Sequence, residues 1–123
     1  MAKKVLIAED DAPLRNVLEK RVGSVGYEVV TARTGTEAIE KITAQKPDLI
    51  LLDIIMPEKS GFDVLEEIRL KQHINTPVIV LTNLEQAQDR ETGQNLGVAE
   101  YLIKSNIHLR DLTHHISTLI GTP

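Results

Sequence analysis

Acidic residues recur at the ends of apolar runs in this sequence, and that placement suggests chemistry. Glu9, Asp10 and Asp11 follow Val5-Leu6-Ile7-Ala8, and Asp53 follows Leu49-Ile50-Leu51-Leu52. Thr82 closes Val78-Ile79-Val80-Leu81, and Lys104 closes Tyr101-Leu102-Ile103. Carboxylates gathered at one edge repel one another and require a cation. An all-oxygen donor set, with neither Cys nor His in it, favours Mg²⁺, which takes few protein ligands and keeps waters and phosphate oxygens. Asp10 and Asp53 are the expected direct side-chain ligands, with Glu9 acting through water. A carboxylate can also serve as a nucleophile. A phosphoryl group on Asp53 would be held by Mg²⁺, by the Lys104 ammonium and by the Thr82 hydroxyl, since phosphoryl transfer needs little beyond positioning and charge neutralisation.

Each residue alone has a plainer reading. Asp11, before Ala12-Pro13, is a good helix N-cap with Pro near the first helical position. Thr82 alone suits a strand as a β-branched residue, and Lys104 alone suits solvent as a charge. The coincidence of all of them at neighbouring strand ends favours a site. The histidines do not join it. His114 and His115 are adjacent on a helix and point to different faces, while His73 and His108 lie in unrelated segments, so no histidine metal site is expected.

The elements that must position these residues follow from periodicity. Five short aliphatic runs, the four above and Val29-Val30, are mostly unalternated, as strands buried on both faces are. Between them lie helical spacings: Leu14, Val17, Leu18, Val22 and Val25; Ala38, Ile39 and Ile42; Val64, Leu65 and Ile68; Leu109, Leu112, Ile116 and Leu119. Glu85 to Leu96 is the weakest helix, polar throughout and carrying Gly93 at a cost of about 1 kcal/mol relative to Ala. A marginal, mobile fourth helix is expected there. Gly26, Gly35, Gly61 and Gly97 mark segment ends, and Pro47 and Pro77 precede strands. Strict alternation implies an α/β protein with a doubly wound five-stranded parallel sheet, order 2-1-3-4-5, and five helices. In such sheets ligands bind beyond the carboxyl ends of the strands, where the order reverses, here between the first and third.

Composition limits the alternatives. The 123 residues suit one domain, 1–123, with 41% hydrophobic residues for a core and only 2% aromatic ones. A net charge of -4 argues against direct nucleic-acid binding. The absence of cysteine excludes disulfides and thiolate sites. The N-terminal run is too short for a signal peptide, and Asp53 breaks the longest apolar stretch, so no membrane insertion is expected. A cytoplasmic location fits.

Val5-Leu6-Ile7-Ala8-Glu9-Asp10-Asp11, Leu51-Leu52-Asp53-Ile54-Ile55-Met56-Pro57 with Gly61, Val80-Leu81-Thr82 and Tyr101-Leu102-Ile103-Lys104 together resemble the response-regulator receiver family over essentially the whole chain. The chemotaxis members of that family are the usual example of the 2-1-3-4-5 order, so the flavodoxin-like topology rests partly on the resemblance. The resemblance implies Asp53 as phosphoacceptor, and Glu9, Asp10, Asp53 and the Ile55 carbonyl around Mg²⁺. It also implies Lys104, Thr82 and Asn83 at the phosphoryl group, with Thr82 and Tyr101 as a switch pair. The implied donor is a histidine kinase or histidine phosphotransfer protein in a two-component system or phosphorelay. The implied output is altered binding to a downstream protein, with no catalysis beyond the domain's own phosphorylation and dephosphorylation.

This sequence departs from the family's habit at three places. Asn83 stands where a small residue is usual, Ser105 where a proline is usual, and Ile55 where many members are polar. Without that proline, the Lys104-Ser105 bond is expected to be trans, with Ser105 or Asn106 capping the last helix. Apolar Ile55 and Leu84 beside the phosphoryl group imply a slowly decaying phosphorylated form. With no output domain evident before Pro123, a stand-alone regulator, a relay intermediate and an excised fragment all stay open. Two other functions compete. One is a pseudo-receiver acting as a constitutive interaction domain, disfavoured by the full residue set. The other is a Mg²⁺-dependent phosphohydrolase, disfavoured because Ile55 stands where a second carboxylate would be needed.

Overall fold

The computed structural model describes residues 2–123. Strands β1 (Lys4–Ala8), β2 (Glu28–Ala32), β3 (Leu49–Leu52), β4 (Val78–Thr82) and β5 (Glu100–Ile103) form one sheet. It is parallel throughout and ordered β2-β1-β3-β4-β5, as expected. The intervening helices are α1 (Ala12–Ser24), α2 (Gly35–Gln45), α3 (Gly61–Glu66), α4 (Ala87–Asn95) and α5 (Leu109–Ile120).

Alternate side chains of the central strands go to opposite faces, so the sheet carries a core on each side. Leu6, Ala8, Ile50, Leu52, Val78 and Val80 pack with Ala38 and Ile42 of α2 and Val64 and Leu65 of α3. Val5, Ile7, Leu49, Leu51, Ile79 and Leu81 pack on the other face with Leu18 and Val22 of α1 and Leu112 and Ile116 of α5. Two helical stripes are wider in the sequence than in the structure. Val17 of α1 and its C-cap Val25 are exposed, as are Leu109 and Leu119 of α5. Each of these helices meets the sheet along a narrow line, and i, i+4 pairs such as Leu18 with Val22 fill it.

Local chemistry sets the helix ends. Asp11 accepts from the Leu14 N–H at 3.1 Å and caps α1, with Pro13 in the first turn. Thr34 caps α2, and Ser60 caps α3 in a capping box with Asp63. Gly26 and Gly97 take positive φ at chain reversals, whereas Gly35 and Gly61 open helices. No peptide bond is cis among the described residues, so Lys104-Ser105 is trans, as expected. The expected capping of α5 by Ser105 or Asn106 is incorrect. Lys104–Asn106 form a 3₁₀ turn, and the N-cap position falls to His108, whose side chain makes no capping bond.

Two features have no counterpart in the hydrophobic pattern. α3 runs on into a π-helical turn, Glu67–Lys71, which buries Ile68 and leaves Arg69 half-buried. The Arg69 guanidinium donates to the carbonyls of Ile74 at 2.7 Å, Leu96 at 3.2 Å and Gly97 at 3.2 Å, holding the end of α4. α4 itself exists, and Gly93 is its one buried residue.

Candidate functional site

The register of the sheet brings the charged residues together. Ala8 pairs with Leu52 across β1 and β3, so Glu9 and Asp53 leave the sheet side by side at the point where the strand order reverses. Thr82 pairs with Ile103 at the far ends of β4 and β5, so Lys104 follows directly. The Asp53 N–H donates to the Ala8 carbonyl at 3.0 Å and extends the ladder one residue into the site.

Lys104 is the central cation. Its Nζ lies 2.7 Å from Asp53 Oδ2 and 2.8 Å from Glu9 Oε1. Both carboxylates are almost wholly buried. The opposite oxygens are held by backbone: Ile55 N–H donates to Asp53 Oδ1 at 3.2 Å, and Asp11 N–H donates to Glu9 Oε2 at 3.1 Å. Carboxylate oxygens of Glu9, Asp10 and Asp53 all lie within 4.8 Å of one another. Burial raises the Glu9 carboxyl above its ordinary range, against the hydrogen bonds from Lys104 and the Asp11 N–H. Burial pulls Lys104 the other way, but its bonds to Asp53 and Glu9 outweigh that and hold its proton above the ordinary lysine range. Burial thus decides the direction for Glu9, and the two carboxylates decide it for Lys104.

The chemistry of this donor set fits a hard divalent cation. It consists of oxygen alone, and among the described residues the Ile55 carbonyl accepts no hydrogen bond that would compete. Gly61 keeps the Asp53 loop in place. A Cβ there would stand 2.4 Å from the Asp53 carbonyl oxygen, and its N–H donates to the Ile54 carbonyl at 2.8 Å. The start of α3 thus presses directly on the backbone that carries Asp53.

The remaining expected residues lie around this centre. Thr82 is fully buried at the end of β4, and its Oγ1 accepts from the Leu84 N–H at 3.4 Å. Asn83 and Ile55 are exposed on their loops. Tyr101 is half-buried, packs against the core on the α4 side and donates from its hydroxyl to the Leu84 carbonyl at 2.7 Å. Arg90 of α4 stacks over its ring, 5.4 Å from the centroid. Leu84 thus touches both Thr82 and Tyr101. His115 pairs with Glu100 through Nδ1 at 2.7 Å, away from the acidic cluster. Among the described residues only Glu9, Asp10 and Asp53 form a cluster suited to a metal, and no helix is long and apolar enough to cross a membrane.

Comparison with known proteins gives the same architecture a lineage. The sequence model of the response regulator receiver domain matches residues 5–117. The "Probable transcriptional regulator ycf27" of Cyanophora paradoxa is 41% identical over 102 residues, which cover 83% of this chain and 42% of that protein. The protein of the same name from Guillardia theta is 43% identical over 102 residues, covering 83% of this chain and 39% of that one. The chain therefore spans about two-fifths of the length of these curated relatives. Among solved structures, the receiver domain of the Francisella response regulator 1452 superposes with a TM-score of 0.88 at 32% identity, covering 95% of each chain. The Vibrio cholerae chemotaxis protein CheY4 superposes with a TM-score of 0.88 at 27% identity, covering 97% of this chain and 99% of that one. A match of such extent, on a sheet wound in the same order, makes this chain a member of the response regulator receiver domain family, the signalling domains of two-component systems.

Proposed function

We propose that Asp53 accepts a phosphoryl group from a histidine kinase or histidine phosphotransfer protein, in a Mg²⁺-dependent reaction. The observation that carries this reading is the junction at Lys104, whose ammonium binds Asp53 and Glu9 together beside the carboxylate of Asp10. One Asp53 carboxylate oxygen attacks phosphorus. The bond from phosphorus to the donor histidine breaks, its electron pair returns to the imidazole nitrogen, and an acyl phosphate remains. Glu9, Asp10, Asp53 and the Ile55 carbonyl would hold Mg²⁺, which when bound neutralises phosphoryl oxygens that would otherwise meet three carboxylates. Lys104 already stands at Asp53 Oδ2 and supplies a second positive charge. Thr82 accepts from the Leu84 N–H and keeps its own hydroxyl proton to donate to the phosphoryl group. Asn83 adds an amide at the mouth of the site. Movement of Thr82 toward the phosphate passes through Leu84 to Tyr101 and changes the surface offered to a downstream protein.

On this reading residues 1–123 form a single receiver domain working in the cytoplasm, and the only chemistry it catalyses is its own phosphorylation and dephosphorylation. The larger size of the named relatives is compatible with this domain controlling an attached output unit. The test is incubation with acetyl phosphate and Mg²⁺ followed by mass spectrometry. One added phosphoryl group is expected in the wild type and none in Asp53→Asn, and Asp10→Asn should weaken Mg²⁺ binding. Equal phosphorylation of wild type and Asp53→Asn would sink the assignment. A wild type that takes no phosphate would point instead to a constitutive interaction domain.

A further inference from the structure

Arg15 lies in α1, one helical turn beyond the acidic loop, and a single nitrogen of its guanidinium reaches back to that loop. Nη1 donates to the carbonyl of Glu9 at 2.9 Å and to the carbonyl of Asp10 at 3.3 Å. These carbonyls belong to the two peptide planes that flank the Asp10 Cα. Holding both fixes the direction in which the Asp10 side chain leaves the chain.

Asp10 needs such a hold more than its neighbours do. Glu9 is secured through its N–H to the Ala32 carbonyl at 3.0 Å and through its carboxylate to Lys104 and the Asp11 N–H. Asp11 is secured by capping Leu14 and by its carbonyl, which accepts from the Arg15 N–H at 2.8 Å. Asp53 is secured by Lys104 and the Ile55 N–H. Asp10 is exposed, and among the described residues its carboxylate has no hydrogen bond or ion pair. Yet it stays within 4.8 Å of the Glu9 and Asp53 carboxylates. Repulsion from those two charges drives it toward solvent, and Lys104 does not reach it. Besides the Asp11 N–H bond to Glu9, the hydrogen bonds that act on its backbone come, among the described residues, from Arg15.

We propose that Arg15 is a positioning residue for Asp10, holding this carboxylate in the cluster before a cation arrives. The proposal rests on reading Glu9, Asp10 and Asp53 as a Mg²⁺ site. Arginine suits the task because its guanidinium stays charged at every working pH and Nη1 carries two hydrogens, one for each carbonyl. A cation then meets a preformed site and does not have to recruit an exposed, repelled ligand.

The experiment is a double-mutant cycle on Mg²⁺ affinity, measured by calorimetry without phosphodonor, over wild type, Arg15→Ala, Asp10→Asn and the double variant. Arg15→Ala should bind Mg²⁺ about tenfold more weakly, the scale seen when a residue supporting a metal ligand is removed. In the Asp10→Asn background the same change should have little further effect, because the ligand it positions is already gone. Wild-type affinity in Arg15→Ala would overturn the proposal. So would a deficit that adds in full to that of Asp10→Asn, since general weakening of the fold would behave that way. If the wild type binds no Mg²⁺, the metal reading falls, and the clamp is judged on the metal-free proteins by amide exchange at Asp10 and Asp11. Faster exchange in Arg15→Ala supports it, and unchanged exchange overturns it.

Discussion

The Tyr101 hydroxyl donates to the Leu84 carbonyl at 2.7 Å. The amide of the same leucine donates to Thr82 Oγ1 at 3.4 Å, so a single residue links the buried hydroxyl beside the acidic cluster to the aromatic ring on β5. Tyr101→Phe keeps the ring and removes the first of these bonds. The variant should lose about 1 kcal/mol of stability, the usual net worth of one hydrogen bond. Amide exchange at Leu84 should quicken, as the loop is then held from one side only. Hydrogen exchange read by NMR, with urea unfolding alongside, checks both outcomes.

Lys104→Met should destabilise the metal-free protein by about 3 kcal/mol at neutral pH, because it leaves the buried Glu9 and Asp53 carboxylates unpaired. The pH dependence has a definite sign. Without the ammonium, the buried Glu9 carboxyl, already raised by burial, loses the bond that opposes the rise and holds its proton more tightly folded than unfolded. The variant therefore gains stability relative to wild type as pH falls through the carboxylate range. In the wild type, the raised Lys104 pKa means that its contribution persists through neutral pH and is lost only as pH rises through that raised value. Urea unfolding of both proteins from acid to alkaline pH tests this, and added Mg²⁺ should recover part of the deficit.

Gly61→Ala puts a methyl group where the Asp53 carbonyl oxygen lies 2.4 Å away, and this contact is backbone that cannot rotate aside. Overpacking of this kind costs about 1–3 kcal/mol. The strain falls on the loop carrying Asp53, so phosphorylation by acetyl phosphate should slow by more than the loss of folded protein explains. A stability-matched core variant such as Ile116→Val serves as the control.

Ile55 is 57% exposed beside Asp53, whereas Leu84 turns partly into the core, so the apolar shield at the mouth of the site falls mainly to Ile55. Replacing Ile55 with Asn or Glu should speed loss of phosphate about tenfold, the effect of lowering the barrier by about 1.4 kcal/mol. A time course of dephosphorylation measures it. Slower decay in the variants would show that this side chain does not protect the bond.

The sheet was legible in the sequence because parallel strands covered on both faces read as unbroken aliphatic runs, and Asp53, Thr82 and Lys104 stand out by closing such runs. Asp11 was legible as a cap because Ala-Pro follows it. What the linear pattern lacks is contact between side chain and backbone. Nothing in it marks Arg15 as the partner of the Glu9 and Asp10 carbonyls, or Leu84 as the link between Thr82 and Tyr101. Nor does it show Lys104 binding Glu9 as well as Asp53. A π-helical turn shifts the hydrophobic period by one residue for a single turn, too briefly to register. Ser105 and Asn106 are good capping residues, but the 3₁₀ turn that follows β5 uses them before α5 begins. Val17 and Val25 obey the helical spacing and remain exposed, since periodicity describes a helix and not the width of what covers it.

The Arg69 clamp divides α4 into two unequal ends. At its exit, the Leu96 and Gly97 carbonyls accept from one guanidinium, which the Ile74 carbonyl anchors from the other side. At its entry, Gln86 offers no capping side chain, and the next residues toward Thr82 are the exposed Glu85 and the half-buried Leu84. The exit is moored through backbone carbonyls, whereas the entry is held by the Arg90 side chain, which lies over the Tyr101 ring and donates to the Tyr101 carbonyl at 3.4 Å. Fraying is favoured at the end without a side-chain cap, while Leu96 and Gly97 stay held by Arg69. A disturbance at the acidic cluster thus meets the loosest turn of the helix first and need not break the mooring to rearrange it.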